Sequence, residues 1–364
     1  MPTEDTEERL LSLSEGVDDS SETEDEEAPS SVRYAIKSYG ADYPVDALVK
    51  RLNNNDIEVP KFQRGYVWTL PQASRFVESL LLGLPVPAIF LSREPQSQKL
   101  MVIDGQQRLQ SLKKFYDGLF RGREFGLRGV QREFDGATYK NLSPEDKRRL
   151  DDAIIHAIVV NQEGPENDQS ALYNLFERIN TGGTPLHPQE IRTCIYPGPF
   201  ISLLKDLASN DKWRELYGPA SPRGKDQELI LRFFAVYFEL VRYERPLKQF
   251  LNGFMGRNRA FKVVDEATLR RVFTGSVAFA IDALGSRAFR PVRNLNTALT
   301  EAILVGTGKR LEKGQITDAN AYHSAYQTLM EDEKFEDSYN GATTDVERLK
   351  FRMKCAIDAF TNVP

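Results

Sequence analysis

The chain has 364 residues, of which 40% are hydrophobic and 28% charged, and its formal net charge is −5 at pH 7. No run of 18 or more apolar residues occurs, and the acidic start lacks a basic-then-apolar leader, so the sequence predicts no membrane span and favours a cytoplasmic protein. Cys194 and Cys355 lie far apart, which excludes a disulfide framework and a cysteine-based zinc site.

The charge is unevenly distributed along the chain. Residues 1–31 hold twelve acidic residues and one basic residue, whereas the remainder holds 47 basic and 41 acidic residues, a net charge of +6. A segment this acidic and without aromatic residues cannot bury enough apolar area to offset its ordering entropy, so we expect a disordered tail. The basic body is suited to contact with nucleic acid. The tail either keeps the protein in solution or competes for the same surface.

Short apolar runs alternate with amphipathic segments up to residue 198, and helical periodicity dominates beyond it. We therefore predict an α+β protein with three parts: a disordered tail over residues 1–31, a mixed-sheet domain with helices over residues 32–198, and an all-helical domain over residues 199–364.

The predicted elements follow from periodicity, caps and breakers. Those of the mixed-sheet domain are a helix over 45–52, an edge strand over 57–59, a helix capped by Thr69 with Pro71 in its first turn, strands over 88–92 and 100–103 (the latter central), a helix from Gln106, a hairpin or loop over 118–140, a helix from Ser143, a buried strand over 153–160, and helices over 168–179 and from Pro188. The later helices are predicted over 229–243, 267–284, 298–305, 319–330 and 346–360.

The leading candidate site is the run Asp104-Gly105-Gln106-Gln107-Arg108, which joins a predicted strand to a predicted helix. Gly105 permits a tight turn, the free N–H groups of the new helix favour an anion, and Arg108 can fork onto a phosphate. Asp104 can hold Mg²⁺ or orient a water, and the two glutamines can bind sugar, base or water. The alternative is structural: Asp104 caps the helix, Arg108 pairs with it, and the glutamines are solvated.

Two further runs combine polar groups with unusual backbone freedom or aromatic rings. Residues 60–68 place a basic residue beside closely spaced rings, which suits a nucleotide or a single strand, although Phe62, Tyr66 and Trp68 are equally suited to packing. Residues 176–186 carry Asn180 and a Gly-Gly pair near a helix end, which suits either a site or a plain helix stop.

Taken in their order along the chain, the three runs resemble the N-terminal domain of GmrSD-type restriction endonucleases. They match its proline-x-x-Gln-Arg-x-Tyr-x-Trp, Asp-Gly-Gln-Gln-Arg and Phe-x-Arg-Ile-Asn-x-x-Gly-x-x-Leu elements, and the likeness covers about residues 42–195. The resemblance implies the fold of ParB and sulfiredoxin, with binding of a nucleoside triphosphate (NTP) with Mg²⁺, with or without hydrolysis, in DNA-directed defence. Carried over by position, the implied catalytic residues are Asp104, Gln107 and Arg108, and the implied nucleotide- or phosphate-binding residues are Gln63, Arg64, Tyr66, Gly105, Gln106, Asn180 and Gly183.

One departure concerns the HNH-type nuclease that larger relatives add. This chain has only His156, His187 and His323, and none pairs at metal-ligand spacing, so structural roles are expected for them. The resemblance then implies that cleavage comes from a partner nuclease subunit or from the N-terminal domain itself. Three hypotheses stay open: an NTP-dependent defence component, a non-enzymatic DNA-binding or regulatory module, and a protein-interaction subunit. The sequence leaves the oligomeric state open.

Overall fold

The computed structural model describes residues 16–18, 36–59, 66–94, 97–162, 170–179 and 186–364. The chain divides into two compact units. The sheet unit comprises residues 34–164 and 174–185, and the helical unit comprises residues 1–33, 165–173 and 186–364. The predicted α+β class, a mixed sheet with helices followed by a mostly helical region, is confirmed. The boundaries predicted at residues 31 and 198 stay predictions, since compact packing and domain ancestry need not coincide.

The elements are numbered in chain order. The strands are β1 (Val17–Asp18), β2 (Ile36–Pro44), β3 (Ile57–Glu58), β4 (Ile89–Arg93), β5 (Leu100–Asp104), β6 (Leu119–Phe120), β7 (Arg123–Glu124), β8 (Ile154–Gln162) and β9 (Leu295–Asn296). The helices are α1 (Val45–Asn53), α2 (Leu70–Leu81), α3 (Gln106–Asp117), α4 (Pro144–Asp152), α5 (Ser170–Ile179), α6 (Pro188–Ile195), α7 (Pro199–Ala208), α8 (Asp211–Tyr217), α9 (Lys225–Glu239), α10 (Leu247–Asn258), α11 (Glu266–Leu284), α12 (Thr297–Leu311), α13 (Ala319–Met330), α14 (Glu333–Asn340) and α15 (Val346–Phe360).

The sheet unit is built on a five-stranded mixed sheet in the order β2-β8-β4-β5-β3. Strand β3 pairs with β5 in parallel, and β4 pairs with β8 in parallel, whereas β4 and β5 are antiparallel. The carboxyl ends of β3 and β5 therefore lie at the same edge of the sheet, where β4 begins. The predicted edge position of β3 and the inner position of β5 are confirmed.

Local signals set the helices of this unit. The Thr69 side chain accepts a hydrogen bond from the Gln72 N–H and the Gln72 side chain accepts one from the Thr69 N–H, so a capping box starts α2, with Pro71 in its first turn. The apolar faces of α1, α2 and α3 pack into one core with the buried residues of the sheet.

Strand β8 corrects one expectation. The apolar run was predicted to be buried throughout, but only alternate side chains are buried at its start: Ile155, Ala157 and Val159 are covered, whereas Ile154 is 45% exposed and His156 is exposed. Successive side chains point to opposite faces of a sheet, and this alternation is that of a strand packed on one face.

The helical unit has an aromatic core, in which Trp213 and Phe233 each meet Phe273 edge to face. Helix α12 is buried around almost its whole circumference. It carries Glu301, which is fully buried between Arg232 of α9 and Arg352 of α15, with N–O distances of 3.3 Å and 3.6 Å. Three helices thus share one buried carboxylate.

The predicted disordered tail falls mostly outside the described residues. Its residues 16–18 are described: β1 pairs in parallel with β9, and Val17 is buried opposite Leu295. Among the helices of the described residues, none has the length and apolar character that crossing a membrane requires.

Candidate functional site

Two of the three runs singled out in the sequence follow neighbouring parallel strands. Strand β3 ends at Glu58, just before the run 60–68 in the sequence, and β5 ends at Asp104, the first residue of the run 104–108, so the two strands end at the same edge of the sheet. In open sheets, ligands bind where strands end and helices begin. A ligand-binding site is therefore expected at this edge.

Gly105 makes the turn from β5 into α3. It is the N-cap residue of α3 and has φ = +98°, in the left-handed region. A Cβ at this position would lie 2.4 Å from Ile89 Cγ2, so both the backbone angle and the close approach of β4 require glycine. The predicted role of Gly105 in the turn is confirmed, and helix α3 begins at Gln106 as expected.

Arg108 is held by three acceptors. Its Nη2 donates to Asp104 Oδ2 at 2.7 Å, and its Nη1 donates to the carbonyl oxygens of Pro87 and Ala88 at 2.5 Å and 3.0 Å. The side chain is only 12% exposed. The guanidinium thus ties the start of α3 to the segment that leads into β4. The structural interpretation of this run predicts the ion pair between Arg108 and Asp104, and the structure confirms it. The N-cap residue of α3 is Gly105, however, and not Asp104.

Asp104 remains accessible beside the first turn of α3. Its side chain is 39% exposed, and its Oδ2 accepts the hydrogen bond from Arg108. The first helical hydrogen bond is from the Leu109 N–H to the Gly105 carbonyl oxygen, at 2.9 Å, so the N–H groups of Gln107 and Arg108 precede the helical ladder. A helix N-terminus with a half-exposed carboxylate fits a phosphate with Mg²⁺, because Mg²⁺ commonly takes one or two carboxylates together with phosphate oxygens.

Gln107 is a latch between two of the runs. Its Oε1 accepts from the backbone N–H of Val67 at 3.0 Å and from that of Trp68 at 3.2 Å. One carboxamide oxygen therefore holds the segment after β3 against the helix after β5. The side chain is half-buried and not simply solvated.

Replacing Gln107 with alanine is expected to loosen this segment. Both N–H groups lose their acceptor, and a lost hydrogen bond of this kind costs about 1–2 kcal/mol. Amide exchange at Val67 and Trp68 should become about ten times faster or more. Gln107→Glu, which keeps the acceptor, should leave exchange at these two amides near the wild-type rate. Unchanged exchange in Gln107→Ala would contradict the latch.

Tyr66 is anchored to the same helix. Its hydroxyl lies 2.7 Å from Ser111 Oγ, and Ser111 Oγ donates its single proton to the Gln107 carbonyl oxygen at 2.7 Å. Tyr66 is therefore the donor to Ser111. Burial raises the pKa of Tyr66, against the hydrogen bond with Ser111 and the nearby charge of Arg121, which lower it.

Residues 45–197 match the sequence model of the family described as GmrSD restriction endonuclease, N-terminal domain. The chain carries a GmrSD N-terminal domain. The match includes α1, all three runs and the sheet edge described above. No curated protein matches the chain. The likeness to ParB and sulfiredoxin stays a prediction.

The structure brings together only part of the predicted site of the GmrSD N-terminal domain. Tyr66 is linked to Gln107 through Ser111, and Arg108 pairs with Asp104 at the start of α3, beside Gly105 and half-buried Gln106. Gln63 and Arg64 lie outside the described residues, as do Asn180 and Gly183. Their site roles stay predictions.

Several hydrogen-bond partners of the site residues in the GmrSD N-terminal domain were not predicted from the sequence. Ser111 lies one helical turn after Gln107, a spacing that could have flagged it. The carbonyl groups of Pro87 and Ala88 have no sequence signal, because any residue supplies a carbonyl. Their role depends only on the path of the chain into β4.

The three histidines have separate surroundings. His156 Nδ1 lies 2.6 Å from Asp42 Oδ1, and His323 Nδ1 lies 3.4 Å from the Ala283 carbonyl oxygen. His187 is buried, and its Nδ1 accepts from the Gln189 N–H at the start of α6. The described part of the chain contains no group of three His, Cys, Asp or Glu side chains placed to hold a metal ion.

Proposed function

We propose that the chain is an NTP-binding component of a DNA-directed restriction or defence system. The observation that carries this proposal is the start of α3, a glycine-turned helix N-terminus with Asp104 beside it, at the carboxyl edge of β3 and β5 inside a GmrSD N-terminal domain. The family description supplies the restriction context, and the geometry of the helix start supports the proposed binding of a polyphosphate.

The start of α3 suits a polyphosphate for two reasons. The N–H groups of Gln107 and Arg108 come before the first helical hydrogen bond, and the helix dipole adds partial positive charge at the same end. Gly105, with φ = +98°, makes the tight turn that starts the helix directly at the end of β5. Asp104 would hold Mg²⁺ together with phosphate oxygens, and a bound Mg²⁺ supplies neutralisation of the phosphate charge.

In this proposal Arg108 positions Asp104. Its guanidinium already spans Asp104 and the carbonyl oxygens of Pro87 and Ala88, so it fixes the carboxylate and the turn relative to each other. Gln107 holds the segment that contains Tyr66, Val67 and Trp68 close to the same turn. Arg108 and Gln107 thus hold the segments around the site in position, whereas the backbone amides bind the ligand.

The internal hydrogen bonds of Arg108 favour a second candidate function. This candidate is a DNA-binding or regulatory module that binds a nucleotide without hydrolysing it. Stabilising the charge of a transferring phosphoryl group needs a cation aimed at that group. Arg108 is 12% exposed and has internal acceptors on both of its terminal nitrogens. Both candidates leave DNA cleavage to a partner nuclease subunit or to the N-terminal domain itself, and not to a histidine-based HNH centre, since the three histidines have unrelated local contacts.

Titration calorimetry with each of the four NTPs and Mg²⁺ tests the shared claim. Asp104→Asn keeps an oxygen acceptor for Arg108 but removes the charge, so Mg²⁺-dependent affinity should fall about tenfold or more. Asp117→Asn is the matched control, because Asp117 lies at the other end of α3 and pairs with Lys113 at 3.2 Å. Absence of binding by the folded wild-type protein, or equal losses in the two variants, would refute the nucleotide site.

A phosphate-release assay with and without DNA separates the two candidates. Hydrolysis that depends on Asp104 supports the NTP-dependent component. Tight binding with no release of phosphate supports the regulatory module.

A further inference from the structure

The β6–β7 hairpin and the side of α3 next to it form a basic and aromatic surface whose cations the nucleotide proposal does not use. We define this hairpin surface by Tyr66, Lys114, Phe120, Arg121 and Arg123. Lys114 Nζ lies 4.9 Å from the centre of the Tyr66 ring, and the Arg121 guanidinium lies 5.7 Å from the centre of the Phe120 ring. The two rings meet edge to face at 5.7 Å.

The cations of this surface form no ion pairs within the part of the chain that the structure describes. Lys114, Arg121 and Arg123 form no ion pair with any residue that the structure describes, whereas the adjacent Lys113 pairs with Asp117 at 3.2 Å. The carboxylate of the hairpin, Glu124, stands opposite Leu119 in the strand register. Several unpaired cations held close together create a local positive potential that attracts a polyanion.

The hairpin turn holds arginine where glycine or asparagine is the usual choice. Arg121 has φ = +49° and Gly122 has φ = +79°, so both residues of the two-residue loop are left-handed. Such turns favour Asn-Gly or Gly-Gly, because a larger side chain is strained at positive φ. A strained position that carries an exposed charge points to a role in binding.

We propose that the hairpin surface contacts the phosphate backbone of a DNA strand, with Lys114 and Arg121 as direct phosphate contacts and the Tyr66 ring as an apolar wall. The proposal rests on the DNA-directed function proposed above. The contact is separate from the nucleotide site, because Lys114 lies about 10 Å along the helix axis from the first turn of α3. Tyr66 links the two places, since its hydroxyl is tied through Ser111 to the Gln107 carbonyl group.

Fluorescence anisotropy of the full chain with labelled single-stranded and duplex oligonucleotides tests this surface. The variants are Lys114→Gln, Arg121→Gly and both together. Arg121→Gly removes the charge and relieves the left-handed strain, so thermal melting should show the fold intact. The control is Arg128→Gln, which removes an exposed charge of the same unit that already pairs with Asp135 at 3.4 Å.

The double variant should bind DNA about tenfold more weakly or worse at low salt. The slope of log affinity against log salt concentration should fall by about 0.7–0.9 for each lost phosphate contact. The control should stay within about twofold of the wild type. No DNA binding by the wild type, wild-type binding by the double variant, or an equal loss in the control would overturn the proposal.

Two further measurements make the outcome specific. A polyglutamate peptide that binds as tightly as DNA, with the same dependence on Lys114 and Arg121, would indicate an acidic protein partner and overturn the assignment to DNA. NTP binding should be unchanged in the double variant. If the wild type binds no NTP while the variants selectively lose DNA affinity, the hairpin surface stands and the nucleotide proposal fails.

Discussion

Gly105→Ala is expected to destabilise the sheet unit by about 3 kcal/mol or more. Two costs combine in this variant. The new Cβ would sit 2.4 Å from Ile89 Cγ2 and 2.9 Å from Ile89 Cβ, so β4 or the turn has to move. In addition, φ = +98° is a backbone angle that alanine rarely adopts. Urea unfolding followed by circular dichroism measures the loss.

Gly118→Ala separates the two costs. Gly118 ends the same helix with φ = +74°, but a Cβ there would meet nothing within 4 Å. Only the backbone cost applies, so the expected loss is about 1 kcal/mol. If the two alanine variants lose equal stability, the contact with Ile89 is not a constraint and β4 does not fix the turn.

Glu301→Gln is expected to destabilise the helical unit by about 3–5 kcal/mol, because it leaves two buried guanidinium groups without their shared counter-charge. Glu301 and Arg352 are 0% exposed and Arg232 is 1% exposed. Arg352 is also fixed by the carbonyl oxygens of Ser338 and Thr343, so it has little freedom to reach solvent. Thermal and urea unfolding of the full chain, compared with the wild type, give the loss.

Glu215→Gln is the matched control for this prediction. Glu215 lies in the same unit, is 51% exposed and pairs with Lys212 at 3.3 Å. A surface pair of this kind contributes about 0–1 kcal/mol, so this variant should unfold almost as the wild type does. Similar losses from both substitutions would show that the buried carboxylate is not specifically required.

The sequence predicted elements well where local signals act alone. The predicted helices over residues 319–330 and 346–360 coincide with α13 and α15, and each begins after an aspartate that accepts backbone N–H groups, Asp318 and Asp345. Apolar periodicity and a cap reinforce each other at these positions. Strand β8 was found too, but its exposed residues depend on which face of the sheet the helices cover, and local pattern does not contain that information.

The candidate site was predictable in its location and only partly in its contacts. The Asp-Gly-Gln-Gln-Arg run correctly marked a turn from strand to helix, because glycine and the change of periodicity are local signals. The engagement of Arg108 with the carbonyl groups of Pro87 and Ala88, and of Gln107 with Val67 and Trp68, depends on segments about 20 and 40 residues away. Tertiary packing alone decides such long-range hydrogen bonds.

The Gln107 latch has a thermodynamic consequence. One oxygen atom serves two amide hydrogens of adjacent residues, so detachment tends to be all-or-none: the carboxamide cannot turn away from Val67 and still accept from Trp68 with good geometry. Any ligand that draws the Gln107 Oε1 atom to itself must free both amides. By reciprocity, whatever frees the amides first would strengthen the binding of that ligand by the same factor.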